Sequence, residues 1–158
     1  MNRRITLALI LGTALLAGTG LGHAQQSDAD QIKATIDNFH AALSALDIRK
    51  MDEVWAHDPY VTVVNPRDKT ISVGWNAVRN RFETEVFGFW SELKVTGQDA
   101  PNVHVNGTTG WANGISIAAG KPKSGAAPVN APTFEAGVFE KRGDRWVIVS
   151  WSAWRVPQ

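Results

Sequence analysis

The side chains able to move a proton are few. Of the four histidines, three lie beyond residue 25: His40, His57 and His104. His40 falls on the flank of an apolar stripe, four after Ile36 and three before Leu43, where it either serves as an acid or base at a pocket mouth or stays a surface residue. His57 precedes Asp58 at the end of a short helical stretch, a place that suits a helix-terminus role. His104 sits between Val103 and Val105, faces away from them, and has no evident partner. Glu135 is a carboxyl inside a strand-forming run, TFEAGVFEK. A strand glutamate of this kind either stays exposed, pairs across the sheet with Arg145 or Arg155, or turns inward. Asn65 and Asn113 could hydrogen-bond a ligand carbonyl or hydroxyl, or tie down a neighbouring loop. An amide is no proton acceptor near neutral pH, so their chemistry is positional.

Other chemistries lack their residues. The three histidines miss the i,i+4 spacing with a glutamate that hydrolytic zinc sites show. There is no cysteine, hence no thiol nucleophile and no disulfide. No glycine-rich phosphate loop follows a strand, and no Gly-x-Ser-x-Gly elbow occurs. Neither a metal nor a cofactor is expected. Seven tryptophans in 158 residues is a high count. Trp55, Trp75, Phe82, Trp90, Trp111 and Trp154 either fill a core or line a pocket for a flat apolar molecule.

Residues 1–24 read as an export signal: Arg3 and Arg4, an apolar run over Ile5–Leu16, then small residues around Gly22-His23-Ala24. The apolar run is short for a bilayer span. A periplasmic or secreted location is expected, with cleavage after Ala24. Removing two of the 16 basic residues leaves 14 against 15 acidic ones, a net charge of −1. A near-neutral domain has no electrostatic footprint for nucleic acid or for an anionic membrane. The remaining residues, 25–158, suit one domain with one core.

The elements that must position these groups follow from periodicity. Ser27-Asp28-Ala29-Asp30 has the chemistry of a helix start. Ile32, Ile36, Phe39, Leu43 and Leu46 form one apolar stripe on a helix of about 18 residues. Asp47 caps a shorter helix containing Met51, Val54 and Trp55, which Asp58-Pro59 ends. Tyr60–Asn65 reads as a strand, Thr70–Val73 as its return, and Asn76–Val86 as a third helix. Phe89–Thr96, Val103–Val105 and Trp111–Ala118 read as strands. The stretch GKPKSGAAPVNAP, residues 120–132, reads as a Gly/Pro-rich loop, mobile or lid-like. Thr133–Trp154 closes the chain as a long hairpin turning at Arg142-Gly143-Asp144. Trp146, Ile148, Ser150, Ser152 and Trp154 share one face of the last strand, and Val147, Val149, Trp151 and Ala153 the other. Both faces are largely apolar, which predicts cover on both sides: helices on one, a second subunit on the other. Helices gathered early and strands late predict an α+β fold.

Four segments in order carry a family resemblance: IDNFHAALSALD, VWAHDPYVTVVNP, VGWNAVRNRF and VFEKRGDRWVIVSW. They resemble the nuclear transport factor 2-like superfamily, which includes the SnoaL-like and ketosteroid isomerase-like proteins. The resemblance implies a cone: three N-terminal helices packed on a curved, mostly antiparallel sheet, with an apolar pocket at the open end. It also implies a homodimer through the outer sheet face. One such cone hosts many reactions, so function rests on individual residues. The isomerases use a tyrosine and a protonated aspartate as donors and a first-strand aspartate as proton shuttle. Aligned with this chain, those positions fall on Phe39, Glu135 and Asn65. Phe39 has no hydroxyl and Asn65 no basic oxygen, so the steroid-isomerase route is not expected. Serines (Ser150, Ser152) also stand where many relatives carry histidines.

The resulting expectation is a SnoaL-like domain holding a small apolar or aromatic molecule between Phe39, Asn65 and Glu135. One alternative is an isomerase, lyase or hydrolase using Glu135 as acid or base with help from His40 or Asn65. Another is a protein-interaction module acting through its outer sheet face.

Overall fold

The computed structural model of the protein describes residues 26–157; the export segment expected at residues 1–24 lies outside the described residues. Helix α1 spans Asp28–Ala45. The Ser27 side chain caps it by accepting the Asp30 N–H at 3.1 Å. Ile32, Ile36, Phe39 and Leu43 are buried along the expected stripe, and Thr35 and His40 widen that face. Leu46 ends the helix as its C-cap in a left-handed conformation, φ 51°, and still packs against the core. Asp47 then accepts the Arg49 N–H at 2.9 Å and starts α2, Ile48–Val54.

Two short strands follow, β1 (Thr62–Val64) and β2 (Ser72–Val73), then α3 (Trp75–Asn80). The third helix does not continue as α. Over Arg81–Val86 it widens into a π-helix, with the Phe87 N–H bonded to the Phe82 carbonyl at 2.8 Å. The chain then makes five longer strands: β3 (Trp90–Gly97), β4 (Asn102–Asn106), β5 (Thr109–Pro122), β6 (Val129–Arg142) and β7 (Arg145–Arg155).

The sheet runs β2-β1-β7-β6-β5-β3, with β4 also on β5. All pairs are antiparallel except β1 with β7. Strand β5 is long enough to take two partners on one edge: β3 along Ser116–Pro122 and β4 along Thr109–Asn113. The two end strands do not meet, so the sheet is curved but unclosed. Helix α1 packs against β3, β7 and β4. Its Ser44 Oγ accepts the Val95 N–H at 2.9 Å, and Asp28 Oδ1 accepts from Lys141 Nζ at 2.6 Å and Trp146 Nε1 at 3.0 Å. The helix is thus pinned to the sheet at both ends.

Two expectations change. The Gly/Pro-rich loop shrinks to residues 123–128, because β5 and β6 extend through Pro122 and Pro132. Pro132 is tolerated because its carbonyl accepts from the Val156 N–H, just past the end of β7. The two polar groups of a strand residue point to the same side, so the missing N–H would have faced Val156, beyond the end of β7, and no bond within the strand ladder is lost. The second change is in β7. Phe139 pairs with Ile148 but Val138 with Ser150, leaving Val149 as an extra residue. A bulge reverses which side chains face inward. The inner face therefore carries Ile148 before the bulge and Trp151 and Ala153 after it. Much of the double-sided apolar character comes from this slip. Gly137, opposite Trp151, lets the indole lie flat on the sheet: a Cβ there would meet two ring carbons at 2.6 Å.

Hydrogen bonds from Lys141 and Trp146 hold the Asp28 carboxyl below the ordinary carboxylate range. A depressed folded-state pKa adds stability above the unfolded value of about 4, lost as pH falls through the folded value. Thermal melts from pH 5 to pH 2 are expected to show an acid-side loss of Tm that is smaller in Asp28→Asn. The slope is reduced rather than abolished, because Asp30 and Asp47 are shifted the same way.

Candidate functional site

Alternation places Ser116 and Ala118 of β5, Ala131, Thr133 and Glu135 of β6, and Trp151, Ala153 and Arg155 of β7 on one concave face. The pairings Ser116 with Thr133, Glu135 with Ala153, and Thr133 with Arg155 fix that register. Three of these residues are alanines, so the curved sheet and the helices do not fill the space between them. A hollow of about 110 Å³ results. Phe39 and Leu43 of α1 close one wall, and Trp90, Leu93 and Val95 of β3 another. A somewhat larger apolar cavity, roughly 150 Å³, accommodates benzene, so the scale here is a single ring or less, with substituents reaching the open mouth.

One carboxyl faces this hollow from the sheet. Glu135 is 8% exposed, and both its oxygens are engaged. Oε1 accepts from Ser116 Oγ at 2.8 Å, and Oε2 lies 2.9 Å from His40 Nε2. His40 is 6% exposed and Ser116 1%. With the Nε2 proton in that contact, His40 Nδ1 is left as an acceptor; it makes no hydrogen bond among the described residues. Beyond the pair lies a second hollow of about 290 Å³, between α1, the Gly97–Pro101 connection and Asn113–Ile115. Glu135 and Trp151 line both hollows, while His40 lines only the second. The His40–Glu135 contact is therefore part of the partition between them. Each carboxylate oxygen keeps a second lone pair, so Glu135 remains able to accept a proton from a bound molecule.

The mouth of the first hollow is built differently. Asn65, Pro66 and Arg67 come from the β1–β2 turn, Arg81 from the π-helix and Arg155 from the end of β7. Asp68 holds the turn: it accepts from Asn65 N at 2.8 Å and Arg81 Nε at 2.8 Å, and pairs with Arg81 Nη2. Arg81 Nη1 stands 3.4 Å from Glu85 Oε2 at an angle that makes no hydrogen bond, and it is buried without a partner. Partial burial and the repulsion of Arg81 and Arg155 pull the Arg67 guanidinium below its ordinary pKa.

The other sequence candidates divide by place. Phe39, Asn65 and Trp90 line the first hollow with Glu135, and Asn113 lines the second. The Asn65 amide also lies 3.4 Å from Asp68 Oδ2, so the residue ties its own turn as well. Trp55, Trp75 and Phe82 are buried against one another and line neither hollow; the Trp55–Phe82 ring centroids are 5.8 Å apart. Trp111 and Trp154 stand on the outer side, 45% and 48% exposed. His57 stacks on Trp75 at 4.6 Å, and His104 lies against Trp111 at 4.1 Å, both away from Glu135. Arg145 and Arg155 make no ion pair with Glu135. His40 is a buried partner rather than a residue at the mouth. Sequence reasoning missed Ser116, Trp151 and the three arginines. A correct β5–β6 register would have found Ser116, since it lies two residues from the position opposite Glu135. Among the described residues no group of three or more His, Asp and Glu could hold a metal ion.

A family model described as a SnoaL-like domain matches residues 32–153. No curated protein matches the chain. Among solved structures, a nuclear transport factor 2 (NTF2-like) superfamily protein from Salmonella enterica subsp. enterica serovar Typhimurium str. LT2 aligns with a TM-score of 0.76 at 17% identity, covering 82% of this chain and 92% of that one. Hexachlorocyclohexane dehydrochlorinase LinA-type3 from Novosphingobium barchaimii LL02 aligns with a TM-score of 0.70 at 11% identity, covering 81% of this chain and 86% of that one. At these identities the likeness is one of fold. Helix stripe, curved sheet and matched segment agree: the chain belongs to the SnoaL-like domain family and has the NTF2-like fold.

Proposed function

We propose that the protein binds a small molecule with an apolar body in its cone and that Glu135 transfers a proton to or from it. The observation carrying this reading is the buried Glu135 carboxyl in the wall of an apolar hollow, fixed by Ser116 at 2.8 Å and His40 at 2.9 Å. Two donors on one carboxylate hold its orientation, which is what a general base requires. Removing a proton from a carbon of the ligand leaves an electron pair. That pair either shifts a double bond, with the proton returned at another carbon, or expels a leaving group. Isomerisation and elimination are thus the reaction classes that suit a single carboxyl with a neighbouring imidazole. The dehydrochlorinase among the structural neighbours carries out an elimination by its name, on the same fold.

A second reading is binding without turnover. Phe39 in the wall and Asn65 at the mouth favour it, because neither supplies the hydroxyl or carboxylate of the steroid isomerases. Deuterium incorporation into cyclic ketones in D2O separates the two. Proton transfer by Glu135 predicts protein-accelerated exchange that drops about 100-fold or more in Glu135→Gln. Equal exchange in the variant, or none beyond buffer across the ketones, leaves binding alone.

We further propose a periplasmic or secreted homodimer joined through the outer sheet face. Residues 1–24 support export, and exposed Trp111, Val138 and Trp154 support a covered face. Sedimentation over a hundredfold concentration range is expected to give a dimer. A monomer throughout contradicts it and points to a different protein on that face.

A further inference from the structure

We propose that the mouth of the first hollow is an anion site, so that the bound molecule carries one carboxylate on its apolar body and presents it to Arg67, Arg81 and Arg155. The proposal rests on the reading that this hollow holds the ligand, and it names the ligand's class. Three guanidiniums line one cavity whose walls are otherwise mostly apolar. The aspartate at this mouth, Asp68, is already committed to Arg81 and to the Asn65 N–H. Arg67 and Arg155 make no ion pair among the described residues, although Asp68 and Glu85 act on Arg67 from farther away. Glu85, the other carboxylate near Arg81, is 68% exposed and makes no hydrogen bond to Nη1.

Gathering three like charges is unfavourable unless something offsets it. Burial first, and then the repulsion of Arg81 and Arg155, holds the Arg67 guanidinium below its ordinary pKa. Yet the fold keeps the group in place: its guanidinium carbon stacks 3.5 Å from the centroid of Phe89. A planar guanidinium held against a ring is already ordered to meet a carboxylate. Arg81 Nη1 adds a buried donor with no acceptor, which a ligand oxygen would satisfy. The Asp68 contacts at Nε and Nη2 fix the orientation of that donor. At the other end of the hollow stands Glu135, an acid that repels a second anion. A molecule with one carboxylate is therefore oriented, head at the arginines and apolar body against Glu135, Phe39 and Trp151.

Benzoate and its neutral isostere benzamide test the idea by calorimetry on the intact protein at low salt. Benzoate is expected to bind at least about tenfold tighter, as a charge-assisted contact to arginine requires, with the advantage shrinking as salt rises. Arg67→Gln and Arg155→Gln are expected to remove that advantage and leave benzamide unchanged. Both residues are exposed, so the variants fold, as melting curves can check. Benzamide binding equal to or tighter than benzoate overturns the anion site while leaving the hollow a ligand site. Failure of both to bind overturns the anion site together with the hollow reading. An unaltered benzoate preference in both arginine variants also overturns it.

Discussion

The contact between His40 and Glu135 links the two layers of the cone. One partner comes from the middle of α1 and the other from the middle of β6, 95 residues later. Both side chains are more than nine-tenths buried. Removing polar groups from water at such a place is costly unless they satisfy each other, and a half-satisfied pair is worse than none. The contact therefore constrains the whole architecture. Helix α1 must sit at one rotation and one height on the sheet. Near its two ends, α1 is held there by Ser44, bonded to Val95 of β3, and by Asp28, bonded to Lys141 of the β6–β7 hairpin. Beside the pair, Phe39 packs on Trp151 with centroids 4.7 Å apart, so the apolar and polar contacts depend on the same helix position.

The hollow follows from the same placement. With α1 held above the sheet, Ala118, Ala131 and Ala153 are too small to fill the gap beneath it. Larger residues at those positions would turn the cone into an ordinary packed core. Chemical asymmetry then comes from the ends: a carboxyl with its imidazole and hydroxyl at one, guanidiniums at the other. Relative to the steroid isomerases, the buried carboxyl on a late strand is paired with an imidazole from the first helix, while the turn after the first strand contributes an amide, Asn65. The fold is shared with those enzymes, but the groups that could move a proton have been redistributed over it.

Much of the architecture was legible in sequence because periodic signals are local. The α1 stripe, the Ser27 and Asp47 caps and the turn at Gly143 all depend on neighbours within a few residues. Long-range register was not legible. The bulge at Val149 moves Ile148 and Trp151 onto the same face, and no local pattern announces one extra residue. Prolines at 122 and 132 looked like loop residues, although Pro122 ends β5 and Pro132 faces the chain just past the end of β7. His40 looked like a flank residue because its burial depends on Glu135, far along the chain. The arginine rim was invisible for a similar reason: Arg67, Arg81 and Arg155 come from a turn, a π-helix and a strand end, and only the folded chain gathers them.

The most direct test of this account is an NMR measurement of the His40 imidazole in the intact protein. A hydrogen bond to a buried carboxylate predicts a downfield Nε2–H signal that exchanges slowly with water and disappears in Glu135→Ala. An imidazole exchanging as fast as those of exposed His57 and His104, or one unaffected by the Glu135 substitution, would contradict the contact on which the site is built.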